Sequence, residues 1–188
     1  MLSSIGEAVR RGLVWLLLRG PAVVFLRLYL QGYRRLRGRP LYRYARITSQ
    51  LYVGGQHRRH GWDAMQAAGI DAVVNLRRSD DVGQRGIACE HYLHLPTPDN
   101  HPLAEADLER GVAFIQQQID ARRTVYVHCG VGVGRAPTLA AAYLISTGMT
   151  VDAAWALLRR KRPIIFPLRG QRQAVRAFAE DRSSKTDE

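Results

Sequence analysis

The chain has 188 residues, 46% of them hydrophobic, and its 28 basic and 16 acidic residues give a formal net charge of +12. This length fits one domain with an appendage, and the hydrophobic fraction is high enough for a packed core, which excludes a disordered or fibrous protein. Two cysteines are too few for a disulfide-stapled secreted scaffold.

The positive charge is concentrated near the N-terminus. Residues 1–46 contain ten arginines and a single acid, Glu7, whereas residues 47–188 contain the other 18 basic and 15 acidic residues. We therefore expect three parts, which are a basic, apolar, helical extension over 1–45, a folded domain over 46–181 and a disordered tail over 182–188.

The extension is apolar as well as basic. Its stretch Leu13–Leu30 contains two arginines and a Gly-Pro step, whereas a membrane-spanning helix needs about 20 mainly apolar residues. The pattern predicts one or two helices that lie on an anionic membrane surface through residues 8–40, with arginine side chains reaching the headgroups. A single-pass anchor is the alternative, and a helical extension that packs on the domain or binds a partner is a competing interpretation. Nucleic-acid binding is not expected, because apolar residues outnumber basic ones here and no reader motif is present.

The rest of the chain alternates between short apolar runs and helical periodicity. These elements predict an α/β fold with a central, mostly parallel sheet flanked by helices. Such sheets bind ligands at the carboxyl ends of their strands. The predicted strands are Leu51–Val53, Ala72–Asn75, Tyr92–Leu95 and Val125–Val127, and the predicted helices span about 61–68, 104–121, 136–147, 151–161 and 169–181.

The segment after the last strand carries the chemistry. A glycine-rich loop, with Cys129 at its start and Arg135 at its end, joins this strand to the following helix. Backbone N–H groups converge at such a turn and bind anions, with the helix dipole behind them. A thiol attacks only as its thiolate, which these amides and a nearby guanidinium stabilise, and Arg135 offers a planar fork for two phosphate oxygens. Gly132 and Gly134 allow positive φ angles, which lets the backbone curl with its N–H groups inward.

Other glycine-rich loops do not fit this segment. A Walker A loop needs Lys-Ser or Lys-Thr after its glycines, and a dinucleotide-binding loop needs a third glycine where Arg135 or Pro137 stands. A tight turn with a buried, inert cysteine is the remaining alternative. It leaves Arg135 unexplained, because a cation at a helix N-terminus opposes the dipole.

The loop resembles the signature His-Cys-x-x-Gly-x-Gly-Arg of the cysteine-dependent protein tyrosine and dual-specificity phosphatase superfamily, and in particular its small bacterial-type domains. The resemblance extends from about Arg46 to Ala179. It implies a phosphate-binding loop between strand and helix, a nucleophilic Cys129, a His128 that orients the loop, and no need for a metal or cofactor. The five fixed positions are matched by His128, Cys129, Gly132, Gly134 and Arg135, and the implied phosphate-binding residues are Gly130, Val131, Gly132, Val133, Gly134 and Arg135.

The resemblance also implies an aspartate on a loop some 30 residues before the cysteine, which protonates the leaving oxygen. Asp99, in the Pro-rich loop after the third strand, lies 30 positions before Cys129 and is our candidate. Its alternative role is that of a turn or cap residue. Asp107 is the rival acid, but it belongs to the first turns of a helix, and Asp80 and Asp81 lie in an earlier polar loop.

One position departs from the family pattern. Most members carry Ser or Thr directly after the arginine, where the hydroxyl helps the thiolate to leave, and this chain has Ala136. Arg-Ala-Pro also occurs in plant glucan phosphatases and some bacterial relatives. The change therefore bears on the rate at which the intermediate is hydrolysed, and Thr138, one turn away, is not assigned that role.

The resemblance predicts a phosphomonoester hydrolase that acts through a phosphocysteine intermediate, first on phosphorylated tyrosine, serine or threonine in proteins. A phosphatase for a lipid headgroup, either phosphatidylglycerophosphate or a phosphoinositide, is the second hypothesis. The amphipathic N-terminus favours it, whereas the absence of Lys or Arg between Cys129 and Arg135 opposes it. A glucan phosphatase is supported only by Ala136-Pro137, and a pseudophosphatase that binds phosphorylated partners without turnover is the non-catalytic alternative. Because a catalytic thiolate needs a reducing compartment, we expect a cytoplasmic protein, peripheral on the membrane.

Two histidine pairs, His57/His60 and His91/His94, have spacings that suggest metal ligands. No cysteine or carboxylate cluster in the sequence completes a site, so no metal is expected.

The roles of Cys89 and of two glutamines have alternatives. Cys89 is expected in the core, with a disulfide to Cys129 as the alternative. Gln171 or Gln173 is a candidate for positioning the attacking water.

Overall fold

The computed structural model describes residues 20–79, 87 and 89–186. The first part of the predicted membrane-binding segment and the candidate acids Asp80 and Asp81 lie outside these residues.

Four parallel strands form one sheet, in the order β1-β4-β2-β3. Their apolar runs are covered on both faces, as is usual for parallel strands. The register pairs Gly55 with Cys129 and Asn75 with His128, so the carboxyl ends of β1, β4 and β2 meet at one edge. The predicted α/β fold with a parallel sheet is confirmed. The strands are β1 (Leu51–Gly55), β2 (Ile70–Asn75), β3 (His91–His94) and β4 (Thr124–Cys129).

Helices surround this sheet, and the predicted ends of four of them, α2 to α5, agree with the structure to within two residues. Thr150 caps α5 as predicted, because its hydroxyl oxygen accepts a hydrogen bond from the Ala153 amide at 3.2 Å. In the described residues the helices are α1 (Pro21–Arg37), α2 (Arg59–Ala67), α3 (Glu105–Asp120), α4 (Arg135–Ser146), α5 (Val151–Lys161) and α6 (Arg169–Thr186).

The last helix is longer than expected. It continues beyond the predicted end of the domain at 181 as far as Thr186. The hydroxyls of Ser183 and Ser184 donate to the carbonyls of Ala179 (3.1 Å) and Asp181 (2.8 Å). The sequence predicted disorder over 182–188, but α6 continues as far as Thr186, with exposed side chains at Arg182, Ser183 and Ser184.

The core lies mainly on one side of the sheet, where α4 packs between the strands and α3, α5 and α6. Small side chains on α4 let it approach the sheet closely. On the opposite side α2 covers the sheet with Trp62 and Met65, which pack with Tyr126 of β4. This double cover fixes β4, and with it the loop that begins at Cys129. The fully buried alanines of α4 are Ala136, Ala140, Ala141 and Ala142.

Helix α1 packs beside the carboxyl edge of the sheet. The predicted Gly-Pro break is its start at Pro21, and Gly38 ends it with a left-handed φ of 68°. Its Leu30 forms an apolar cluster with Val133 and Ile164. Within the part of the chain that the structure describes, no helix combines the length and the apolar character needed to cross a bilayer.

Candidate active site

Residues 129–135, here called the phosphate loop, lie at the carboxyl edge of the sheet. The loop leaves β4 at Cys129 and enters α4 at Arg135. Cys129 is only 2% exposed, and the Gly132 amide N–H points at its sulfur, with 3.3 Å between N and Sγ. This donor and the N-terminus of α4 both stabilise negative charge on sulfur.

The carbonyls of residues 130–134 all point out of the phosphate loop, each towards a donor elsewhere in the domain. Because a trans peptide directs its N–H opposite to its C=O, the amides of residues 131–135 turn towards the space in front of Sγ. This orientation makes the loop an anion cradle. The donors are the Gln56 amide to Gly130 O (3.1 Å), Arg162 to Val131 O (3.1 Å) and Gly132 O (2.7 Å), the Phe166 amide to Val133 O (2.8 Å), and the Thr138 amide and hydroxyl to Gly134 O (3.1 and 3.0 Å).

Arg162 is the support that the sequence did not predict. Its buried guanidinium donates to two phosphate-loop carbonyls and also to Tyr44 O at 2.6 Å, which ties the N-terminal extension to the loop. Burial lowers the pKa of Arg162 to about 10, while its attraction to Tyr126 and Cys129 acts in the opposite direction. In the sequence, Arg162 looks like one more cation at the C-terminal end of a helix that already has three basic residues in its last turn.

Two of the three glycines in the phosphate loop, Gly132 and Gly134, are constrained in different ways. Gly132 has a φ of 71°, and a Cβ there would lie 2.3 Å from the Gly54 backbone. Gly134 does not use the freedom to adopt a positive φ, since its φ is −116°. A Cβ at this position would lie 2.7 Å from Gln171 Oε1, so the buried Gln171 side chain would have to shift.

Arg135 is held across the mouth of the loop. Its Nη1 donates to Leu76 O (3.1 Å) and Thr97 O (2.7 Å), and its Nη2 lies 2.8 Å from Asp99 Oδ1. The guanidinium is almost fully buried, whereas the Asp99 side chain is exposed. The structure thus brings the predicted acid to the predicted phosphate-binding arginine.

The rival acid lies elsewhere in the fold. Asp107 is in the first turn of α3 and pairs with Arg110 at 3.2 Å. Asp99 instead lies on the Pro-rich loop after β3, where Asn100 adopts a left-handed φ of 65°. That turn presents the Asp99 carboxylate to the mouth of the loop.

Gln56, directly after β1, connects the phosphate loop to two arginines. Its backbone oxygen accepts from Arg34 Nη1 of α1, and its side-chain oxygen accepts from Arg77 Nη1 at 2.8 Å. Arg34 also packs over Gly55, where a Cβ would lie 3.1 Å from its Cζ. Neither Gln56 nor Arg34 was predicted, because their roles depend on contacts between distant parts of the chain.

The four histidines with suggestive spacings lie in different surroundings. His57 and His128 are both buried behind the phosphate loop, and their rings meet edge to face with 5.0 Å between the ring centroids. His60 is exposed. His94 contacts Arg77 O at 2.8 Å, and His91 lies 3.9 Å from Glu90. Among the described residues, the candidate metal-ligand cluster contains no histidine; it is the acidic group Glu105, Glu109 and Asp181.

The two cysteines are both free. Cys89 lies next to Asp71, near the start of β2, whereas Cys129 is at the carboxyl end of β4. The strands between these ends are four to six residues long, which separates the cysteines by roughly 13 Å at 3.3 Å per residue and excludes the alternative disulfide. Burial raises the pKa of the Cys89 thiol to about 11.

Of the two candidate glutamines, Gln171 is buried beside the phosphate loop and Gln173 is exposed. Gln171 accepts from the Leu168 amide (2.9 Å) and donates to His101 O (3.0 Å). Its amide group therefore ties the Asp99 loop to the start of α6.

Comparison with known proteins agrees with this architecture. The sequence profile described as "Dual specificity phosphatase, catalytic domain" matches residues 51–181. The chain therefore belongs to the dual specificity phosphatase family, a family of cysteine-dependent phosphatases.

Two relatives illustrate the sequence match. Dual specificity protein phosphatase 1 of Mus musculus is 32% identical over 128 residues, which cover 64% of this chain and 33% of that protein. Dual specificity protein phosphatase 8 of Homo sapiens is 32% identical over 125 residues, which cover 65% of this chain and 20% of that protein. This chain thus matches a third or less of the length of either relative.

Solved structures share the fold. PTPMT1 in complex with PI(5)P superposes with a TM-score of 0.68 at 20% identity, over 77% of this chain and 99% of that one. A leucine rich repeat and phosphatase domain containing protein from Entamoeba histolytica gives 0.65 at 17% identity, over 77% and 95% of the two chains.

Proposed function

We propose that this chain hydrolyses phosphomonoesters through a phosphocysteine intermediate on Cys129. The observation that carries the proposal is that hydrogen bonds hold all five carbonyls of residues 130–134 pointing out of the phosphate loop. The successive amides therefore point towards the space in front of the buried Cys129 sulfur. Such fixed donors stabilise the charge of a phosphoryl group during transfer without reorganising.

In the first step the phosphate lies on the loop amides and the Arg135 fork. Cys129 Sγ attacks phosphorus, so that an S–P bond forms while the P–O bond to the leaving group breaks. Asp99, as a carboxylic acid, gives its proton to the departing oxygen. His128 supports the loop from behind, where its ring packs against His57 and Tyr126.

In the second step water attacks the phosphocysteine. The Asp99 carboxylate takes a proton from this water, the S–P bond breaks, and Cys129 leaves as a thiolate stabilised by the Gly132 amide. The Thr138 hydroxyl already donates to Gly134 O. With Ala136 at the position after the arginine, the leaving thiolate lacks a hydroxyl donor there, which slows this step relative to a loop with Ser or Thr at that position.

Phosphorylated tyrosine, serine or threonine in proteins is the first substrate proposal. It is supported by the similarity to proteins named dual specificity protein phosphatases. Between Cys129 and Arg135 the loop offers only glycine and valine side chains. One phosphate is therefore recognised by amides and a single arginine, which suits a monophosphate ester.

A phosphate carried at a membrane surface, including a lipid headgroup, is the second candidate. It is favoured by the large hydrophobic side chains that α1 exposes among arginines. With it we propose a protein that is cytoplasmic and peripheral on an anionic membrane through residues 8–40.

The proposed chemistry is tested with a small aryl phosphate and the Cys129→Ser variant. We expect the variant to lose turnover while it still binds vanadate, because the cradle is intact but the nucleophile is not. Full activity of Cys129→Ser would overturn the assignment. A panel of phosphopeptides, phosphatidylglycerophosphate, phosphoinositides and phosphoglucan, each with and without vesicles, then ranks the substrate classes by kcat/KM.

A further inference from the structure

One face of α1 exposes four large hydrophobic side chains. Phe25 is 73% exposed, Leu28 63%, Tyr29 51% and Leu36 81%. Their spacing of three, four and eleven residues from Phe25 places them on one side of a helix. Gly32 lies in the middle of this stripe, with open space around it. We call these four residues the α1 stripe.

The domain does not need the α1 stripe for its own packing. The opposite side of α1 makes the contacts with the domain, through Leu30 against Val133 and Ile164 and through Arg34 to Gln56. A helix that buries one apolar face and exposes another has a second surface to cover.

The charged residues of the segment that carries the α1 stripe are all basic. Residues 20–46 contain no aspartate or glutamate, and Arg35 and Arg37 are exposed at the end of α1 beside Leu36. A second copy of this chain would bring two such arginine-rich segments together, which like-charge repulsion opposes. An anionic lipid surface complements both the charge and the hydrophobic side chains. The arginines of this segment are Arg27, Arg34, Arg35, Arg37, Arg39, Arg43 and Arg46.

We propose that the α1 stripe docks on an anionic lipid bilayer, with α1 in the plane of the interface and Arg35 and Arg37 at the headgroups. This inference deepens the proposed function and rests on it for its consequence. Because the inner face of the same helix packs on Val133 of the phosphate loop, docking holds the catalytic cleft at the membrane surface. Phosphate esters anchored in the bilayer are then presented to the loop at high local concentration.

The docking surface is tested on the full chain by co-sedimentation with phosphatidylcholine vesicles, with and without phosphatidylserine. We expect binding to the anionic vesicles only, weakened by salt. The triple variant Phe25→Ser, Leu28→Ser, Leu36→Ser should bind at least about tenfold less. Leu168→Ser is the matched control, because Leu168 is an exposed hydrophobic residue outside α1, and it should bind like the wild type.

The electrostatic part is tested with a second pair of variants. Arg35→Gln with Arg37→Gln should reduce both the binding and its salt dependence. Arg172→Gln with Arg176→Gln, two exposed arginines of α6, should change neither. Melting curves followed by circular dichroism confirm that each variant is folded.

Other outcomes would overturn the docking surface. One is that the wild type does not bind vesicles, and another is that the triple variant binds them as well as the wild type does. A third is that the wild type is a dimer and the triple variant a monomer, while vesicle binding is the same for both. The last result would identify the stripe as a contact between copies. Hydrolysis of a soluble aryl phosphate without vesicles is measured alongside, so that a failure of the proposed chemistry is seen separately.

The proposed preference for membrane-anchored substrates is tested in an experiment with two arms. Vesicles carry either a phosphoinositide or a lipid-anchored phosphotyrosine peptide, and the soluble headgroup or free peptide is the reference. The proposal is supported if at least one anchored substrate has a higher kcat/KM than its soluble form and if the triple variant loses this difference. The arm that shows the difference identifies the phosphate source, lipid headgroup or anchored peptide. Equal rates for anchored and soluble forms in both arms would overturn it.

Discussion

Arg135 Nη2 lies 2.8 Å from Asp99 Oδ1, so the proposed phosphate-binding guanidinium and the proposed acid form an ion pair across the mouth of the phosphate loop. Arg135 is held by the carbonyls of Leu76 and Thr97, whereas the Asp99 side chain is exposed, so the carboxylate is the partner that can move away. An incoming phosphate takes the guanidinium fork and repels the carboxylate, which frees Asp99 to reach the leaving oxygen. Substrate binding and release of Asp99 from Arg135 are thereby linked.

Asp99→Asn tests this link. We expect kcat to fall by about 10²–10⁴-fold, the range of general acid catalysis, and the basic limb of the pH profile to flatten. Vanadate should bind at least as tightly as to the wild type, because the residue that competes for Arg135 has lost its charge. Steady-state kinetics and vanadate inhibition give both values. Asp107→Asn is the control, and a large loss of kcat there with an active Asp99→Asn would move the acid to α3.

Arg162→Lys tests the support of the phosphate loop. Lysine keeps a charge but cannot bridge the carbonyls of Val131, Gly132 and Tyr44 at once. We expect kcat/KM to fall on the order of 10²-fold, equivalent to one or two lost charge-assisted hydrogen bonds, and vanadate to bind more weakly. A lower melting temperature with unchanged kcat/KM and unchanged vanadate affinity would reduce Arg162 to a purely structural residue.

Much of this architecture was readable from sequence, since strand and helix periodicity is local. The loop between β4 and α4 was predicted with its cysteine and arginine, and Asp99, the candidate acid, lies 2.8 Å from that arginine in the structure. Arg162 and Gln56 were not predicted, because a residue that supports a loop from 30 or more positions away has no local pattern. The serines after residue 181 suggested disorder, yet they bond to the backbone of an exposed helix. Composition alone does not separate those two states.

Gly132→Ala tests the backbone geometry of the loop. Its positive φ costs about 1–2 kcal/mol for a residue with a Cβ, and the Cβ would also overlap the Gly54 backbone. We expect loss of activity together with a lower free energy of unfolding. Gly148→Ala is the matched control, because Gly148 has a φ of 97° but open space around it. Denaturant unfolding should show the smaller loss for Gly148→Ala, with activity retained, and equal effects at both positions would contradict the proposed contact.

The two cysteines should differ in reactivity with pH. Burial raises the pKa of Cys89 to about 11, so this group stays a neutral thiol below that pH and reacts slowly with iodoacetamide throughout the neutral range. Cys129 should be alkylated first, and vanadate should protect it. Peptide mass spectrometry between pH 6 and pH 9 measures both rates. Faster labelling of Cys89 than of Cys129 at pH 7 would contradict the roles assigned to the two thiols.

The direct test of the central claim is to trap the intermediate. The wild-type chain is mixed with an aryl phosphate, stopped by rapid denaturation during turnover, and digested for mass spectrometry. We predict a phosphoryl group on the sulfur of the peptide that contains Cys129, in larger amount than in Ala136→Ser, where the added hydroxyl should speed hydrolysis of the intermediate. Turnover with no S-phosphorylated Cys129 at any time point, or with the phosphoryl group on another residue, would contradict the account.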